Sequence, residues 1–227
     1  AALCVPLPDD VDLHEAAAFI LTYATSHHAL VDRGQLKAGE TVLVLGAAGG
    51  VGTSAIQIAK AIGARVIAAV SSRDKADFCR ALGADATIDY SQGAAAFREE
   101  LKRLTEGLGP DVIYDPVGAE LAEPAFRSIG WRGRYLVIGF AGGPIPALPL
   151  NLMLLKGASV VGVFWGDFVR REPSAQAAVM KELIDWWKQG KVRPVLDRVL
   201  PMGELKAAYG LMGSRAIKGK LVLSNAV

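Results

Sequence analysis

The stretch Ala47-Ala48-Gly49-Gly50-Val51-Gly52 is a backbone almost bare of side chains. It follows residues 41–45, a β-branched and apolar run. It opens a stretch with apolar residues at Val51, Ala55, Ile58, Ala59 and Ile62, a helical stripe. A bare turn between a strand and a helix lets a diphosphate approach the main chain. The diphosphate then faces free N–H groups and the positive end of the helix dipole. In such a turn Gly49 allows the close approach and Gly52 allows helix to pack on sheet. Ala47 departs from the general pattern, which has glycine there. A glycine-rich turn with no ligand is the competing reading.

The second group is Ser71-Ser72-Arg73-Asp74-Lys75, which follows the apolar run 64–70. Sites that bind a free ribose usually carry an acid at this strand tip. Here the tip carries hydroxyls and two cations, which suit a 2′-phosphate. The expected cofactor is therefore NADPH rather than NADH. Alternatively, Arg73 and Lys75 are solvated charges at a helix start. Cations are mildly unfavourable there, which favours a phosphate partner, with Asp74 as the competing feature.

Other chemically capable residues read as structural. His27 and His28 are adjacent, so on a helix they face different ways and do not pair at ligand spacing. They are expected on the surface or as satisfied core residues. Trp186 and Trp187 read as packing of a tail helix, and Cys79 as a small buried hydrophobe. Cys4 and Cys79 make neither a metal-ligand spacing nor a disulfide framework, so no metal is expected and a reducing, cytoplasmic setting is.

Alternating elements must position these groups. Asp12 is placed to cap one or two helices over residues 13–34. Strands are expected at 41–45, 64–70, 86–90, 111–118, 133–140 and 159–165. Helices are expected at 51–62, from 71 to a stop at Gly83, at 94–106 and at about 120–129. Most of the strands are apolar throughout, the mark of a parallel sheet covered on both faces. A long helix at 173–190, a strand at 195–200, a helix at 203–214 and a strand at 220–223 follow. The fold class is thus α/β. The net charge of +2, from 25 basic and 23 acidic residues, gives no electrostatic case for nucleic acid or an anionic membrane. No apolar stretch reaches the roughly 18 residues of a membrane span.

GETVLVLGAAGGVG, Gly63-Ala64, VSSRDK and the LGAD of residues 82–85 together resemble the cofactor half of medium-chain dehydrogenase/reductases. The similarity is to the zinc-independent quinone oxidoreductase group that includes zeta-crystallin. It runs from VPLPDDVDLHEAAA to the GKLVL ending. It implies a Rossmann doubly wound parallel sheet over residues 1–166. Residues 167–227 would be C-terminal elements of a GroES-like substrate domain, most of whose upstream part is not in this sequence. It also implies that Thr25 lies near the nicotinamide and that Gly49, Gly50, Val51 and Gly52 hold the pyrophosphate. Ser71, Ser72, Arg73, Lys75 and Tyr90 would hold the 2′-phosphate. Val117, Phe140, Phe164, Trp165 and Gly166 would line the nicotinamide, and Lys220 is a further candidate. For Val117, Phe140 and Phe164 a plain core role competes, and for Tyr90 a strand-end aromatic role.

The implied activity is hydride transfer from NADPH to a quinone or an activated alkene, without zinc and with no catalytic acid named. An enoyl-thioester or alkenal reductase, or a non-catalytic NADPH-binding protein, are the alternatives. Alone, this stretch is expected to bind NADPH and turn over poorly. The strand at 158–163 is expected at a sheet edge, where it would pair with a second copy in a homodimer unless the tail helix covers it.

Overall fold

A computed structural model describes residues 4–225. Six strands form one parallel sheet: β1 (Thr41–Val44), β2 (Arg65–Val70), β3 (Ala86–Asp89), β4 (Val112–Asp115), β5 (Arg134–Val137) and β6 (Ser159–Gly162). Their order is β3-β2-β1-β4-β5-β6. All five pairings are parallel, with Val42 between Val66 and Val112 at the centre. This is the Rossmann-type doubly wound sheet, and its order reverses between β1 and β4.

Alternation along the strands builds two cores. Val42, Val44, Val66, Ala68, Val112, Tyr114 and Leu136 point to one face. There they meet α1 (Leu13–His27), α2 (Gly50–Ile62) and α3 (Arg73–Ala81). Leu43, Ile67, Ile113 and Tyr135 point to the other. That face is covered by α4 (Ala94–Leu104) and α5 (Ala119–Arg127) through Phe97, Leu101, Ala122 and Phe126. Successive Cβ atoms leave a strand on opposite sides, so an all-apolar strand feeds both layers.

Local chemistry sets the ends. The Asp12 carboxylate accepts from the N–H groups of His14 and Glu15 and caps α1. Gly63 ends α2 in the left-handed conformation at φ +90°. Residues 13–34 divide into α1 and a π-helical turn, His28–Arg33. Two short helices fall below the reach of periodicity: α6 (Asn151–Lys156) and α7 (Trp165–Arg171). The last strand of the sheet therefore stops at Gly162 instead of reaching Trp165.

The tail forms α8 (Pro173–Lys188), β7 (Leu196–Pro201), α9 (Leu205–Gly213) and β8 (Lys220–Ser224). Helix α8 packs on α1, with the rings of Trp187 and Phe19 4.5 Å apart. Strands β7 and β8 form a separate parallel pair. Gly219 returns to the glycine turn, donating its N–H to the Ala48 carbonyl at 2.8 Å. Strand β6 is an edge of the large sheet, with Ser159 and Gly162 exposed. Arg33 Nε donates to the Gly162 carbonyl at 3.2 Å.

Candidate functional site: a crevice at the carboxyl ends of the strands

The loops that leave the strands at their carboxyl ends converge where the strand order reverses. At the end of β1 the sharp reversal falls on Gly46, at φ +59°. Ala47 is buried and has no such backbone requirement, which explains why alanine is accepted there. A Cβ on Gly52 would stand 2.6 Å from Ala47 Cα, so the helix packs on the turn only with glycine at 52. Gly49 is different. It is the N-cap of α2, with ordinary φ of −78°, and no side chain caps the helix. A Cβ there would meet nothing nearer than the Gly46 carbonyl oxygen at 3.4 Å. The first-turn amides of α2, including those of Gly50, Val51 and Gly52, have no partner within the helix. They form an uncapped, positively polarised cradle that a diphosphate would fit.

The tail lines this cradle. The aliphatic chain of Lys220 lies over Gly50, its Cγ 3.2 Å from where a Cβ would stand. At the end of β2, Ser72 caps α3 by accepting from the Lys75 N–H at 3.4 Å. Lys75 Nζ donates to Ser71 Oγ at 3.1 Å and to the Arg215 carbonyl at 2.7 Å. Lys75 thus already ties the strand tip to the tail. Asp74 is paired with Lys218, Nζ to Oδ2 at 3.0 Å. Arg73 is exposed, with no ion-pair partner among the described residues. Tyr90 is half-buried in a 3-10 turn after β3, against the apolar cluster under α4.

The ends of β4, β5 and β6 form the other half. Asp115 is buried, and its Oδ1 accepts from the N–H groups of Val117 and Gly118 at 2.7 and 2.8 Å. The Tyr135 hydroxyl donates to its Oδ2. These bonds fix the turn that sets Val117 against Gly46. Phe140 is 41% exposed and Phe164 72%, so neither is a plain core residue. Val117 is half-buried, and Gly166 is exposed beside Phe164. Trp165 faces inward instead, its indole N–H donating to Gln176 Oε1 at 3.0 Å. Thr25, on α1, is half-buried. Next to it Ser26 joins Ser54, Tyr114 and the Val51 carbonyl in a buried hydroxyl network that seats the first turn of α2. Two cavities of about 490 and 500 Å³ lie outside this crevice, one between α1 and α8 and one between α4 and α5.

Residues 50–187 match the family described as zinc-binding dehydrogenase. Quinone oxidoreductase-like protein 2 of Bos taurus is 35% identical over 96% of the chain and 62% of its own length. The chain belongs to the quinone oxidoreductase branch of the medium-chain dehydrogenase/reductase superfamily.

Solved members of this superfamily superpose closely. A mycobacterial protein complexed with NADPH is 30% identical, with a TM-score of 0.92 over 98% of this chain and 68% of that one. The CurK enoyl reductase is 29% identical, with a TM-score of 0.85 over 97% and 65%. The chain spans about three-fifths of the length of the quinone oxidoreductase-like protein 2 relatives.

The matched description implies zinc. Among the described residues no three His, Cys, Asp or Glu side chains converge. Cys4 is exposed, and Cys79 is buried, its thiol pushed up to about 12 by burial. These residues do not fit a zinc centre. His27 and His28 are both buried, contrary to a surface placement. His27 Nε2 lies 3.1 Å from Glu182, and His28 Nδ1 lies 2.9 Å from Asp32. His28 stacks on Phe168, so both are packing residues.

Sequence reasoning missed Gly46, Asp115, Tyr135, Arg215 and Lys218. The Asp-Pro-Val-Gly stretch carried a local turn signal for Asp115. Nothing nearby in sequence marked Lys218, which lies 144 residues from Asp74.

Proposed function

We propose that the chain is the NADPH-binding part of a zinc-independent reductase acting on quinones or activated alkenes. The uncapped N-terminus of α2 behind a glycine cradle carries the reading. Gly49, Gly50, Val51 and Gly52 would hold the diphosphate through backbone N–H groups. Ser71, Ser72, Arg73 and Lys75, with Tyr90 beside them, would hold the 2′-phosphate. Thr25, Val117, Phe140, Phe164, Trp165 and Gly166 would border the nicotinamide, and Lys220 the cradle. When bound, the cofactor supplies hydride from its C4. The chain's own contribution is orientation: Asp115 fixes the Val117 turn, and the Ser26 network fixes α2. No catalytic acid is assigned. Residues 167–227 are assigned to the substrate domain, which supports turnover only together with the further length the relatives carry. The free thiols accord with a cytoplasmic setting.

Titration with NADPH and NADH, followed by nicotinamide fluorescence, tests this. Tighter NADPH binding, weakened by about 1.5–3 kcal/mol in Lys75→Ala, supports it, as expected for a charge-assisted bond. Equal binding of both dinucleotides overturns it. Likeness to an enoyl reductase favours a second reading, an enoyl-thioester or alkenal reductase. A panel of quinones and enones with the full-length protein separates the two. We also propose a homodimer through residues 158–163, supported by the edge position of β6. A monomer by light scattering at high concentration removes it.

A further inference from the structure

We propose that the Lys218–Asp74 ion pair sets the preference for a 2′-phosphorylated dinucleotide, by neutralising a carboxylate at the rim of the adenosine end. The inference rests on the NADPH reading above.

Asp74 sits in the first turn of α3, where an acid favours the helix dipole. It is also embedded among Ser71, Ser72, Arg73 and Lys75. Left alone, its carboxylate would repel a phosphate and would suit a free ribose hydroxyl instead. Lys218 cancels that charge from the far end of the sequence. An exposed pair of this kind adds little to stability; the Asp74 side chain is 77% exposed. Its place is nevertheless fixed by more than the pair. The Lys218 N–H donates to Asp197 Oδ1 at 3.0 Å, and its ammonium stands 5.6 Å over the Phe78 ring. On either side, the Arg215 carbonyl holds Lys75, and the Gly219 N–H holds Ala48. The tail therefore crosses the crevice from the adenosine end to the glycine turn and carries its cation to Asp74 as a built feature. Lys218 acts through Asp74, so it is a specificity-determining residue and not a ligand of the phosphate.

The test measures dissociation constants for NADPH and NADH at low and high salt. It uses the wild type, Lys218→Ala, Asp74→Asn and the double variant. At low salt Lys218→Ala is expected to weaken NADPH about fivefold and leave NADH within about twofold, an effect that shrinks as salt screens the freed carboxylate. Adding Asp74→Asn is expected to restore NADPH binding to within about twofold of wild type. A double variant as weak as Lys218→Ala overturns the proposal and makes Lys218 a direct phosphate ligand. Equal losses for both dinucleotides also overturn it, and reduce the lysine to a tail anchor. A wild type without preference is seen before any substitution, and overturns the cofactor reading itself and this inference with it.

Discussion

The Tyr135 hydroxyl on β5 donates to the carboxylate of Asp115 at the end of β4, and both residues are buried. The carboxylate is thereby satisfied without a cation, because its other oxygen takes two backbone N–H groups. Removing it in Asp115→Ala orphans a phenol and two amides. A loss of about 3 kcal/mol or more is expected in urea unfolding, and about 1–2 kcal/mol for Tyr135→Phe. A change below about 0.5 kcal/mol in Asp115→Ala would show that water serves these donors equally well.

Gly49 and Gly52 separate binding from folding. In Gly52→Ala the new methyl collides with the backbone of Ala47, so a loss of about 2 kcal/mol in stability is expected. In Gly49→Ala the methyl finds ordinary contact distance, so the melting temperature should hold. NADPH affinity should still fall by roughly tenfold, since the methyl fills space beside the amides of α2. Unchanged NADPH affinity in Gly49→Ala would move the diphosphate elsewhere.

The two buried histidines give the fold an acid-side weakness. Burial holds His27 below its ordinary pKa against the opposing pull of Glu182, and holds His28 below it against Asp32. The unfolded chain therefore takes up protons that the folded chain refuses. Stability is complete above about pH 6.5, the unfolded value, and declines as pH falls from there toward the lowered folded values. The slope is at most about 1.4 kcal/mol per pH unit for each histidine. His27→Gln should flatten this limb in urea midpoints taken between pH 7 and 5. An unaltered slope would rule His27 out.

The exposed edge of β6 can be charged without strain. A Cβ on Gly162 meets nothing within 4 Å, so Gly162→Lys should fold as the wild type does. If copies pair through this edge, the variant should elute as a monomer in light-scattering chromatography. A dimer that persists unchanged would place the contact elsewhere.

Much of the fold was legible because a doubly wound sheet writes itself locally. Apolar strands, helical stripes, the Asp12 cap and the Gly63 stop each depend on neighbours a few residues away. The glycine turn was legible for the same reason, and so was the packing task of Gly52. The 151–156 and 165–171 helices were not, being too short for a period to repeat. Trp165 reads as part of a strand until Gln176 of the next helix supplies a partner for its indole.

The sequence by itself determined the alternation of elements, the bare turn and the hydroxyl-rich tip of the second strand. Only the tertiary structure decided that Gly46 takes the left-handed turn, that Tyr135 satisfies Asp115 and that Lys218 reaches Asp74. Short-range patterns follow from the repeat of the backbone. Pairings across 20 to 144 residues follow from how layers stack and where the tail returns, and no local period encodes them.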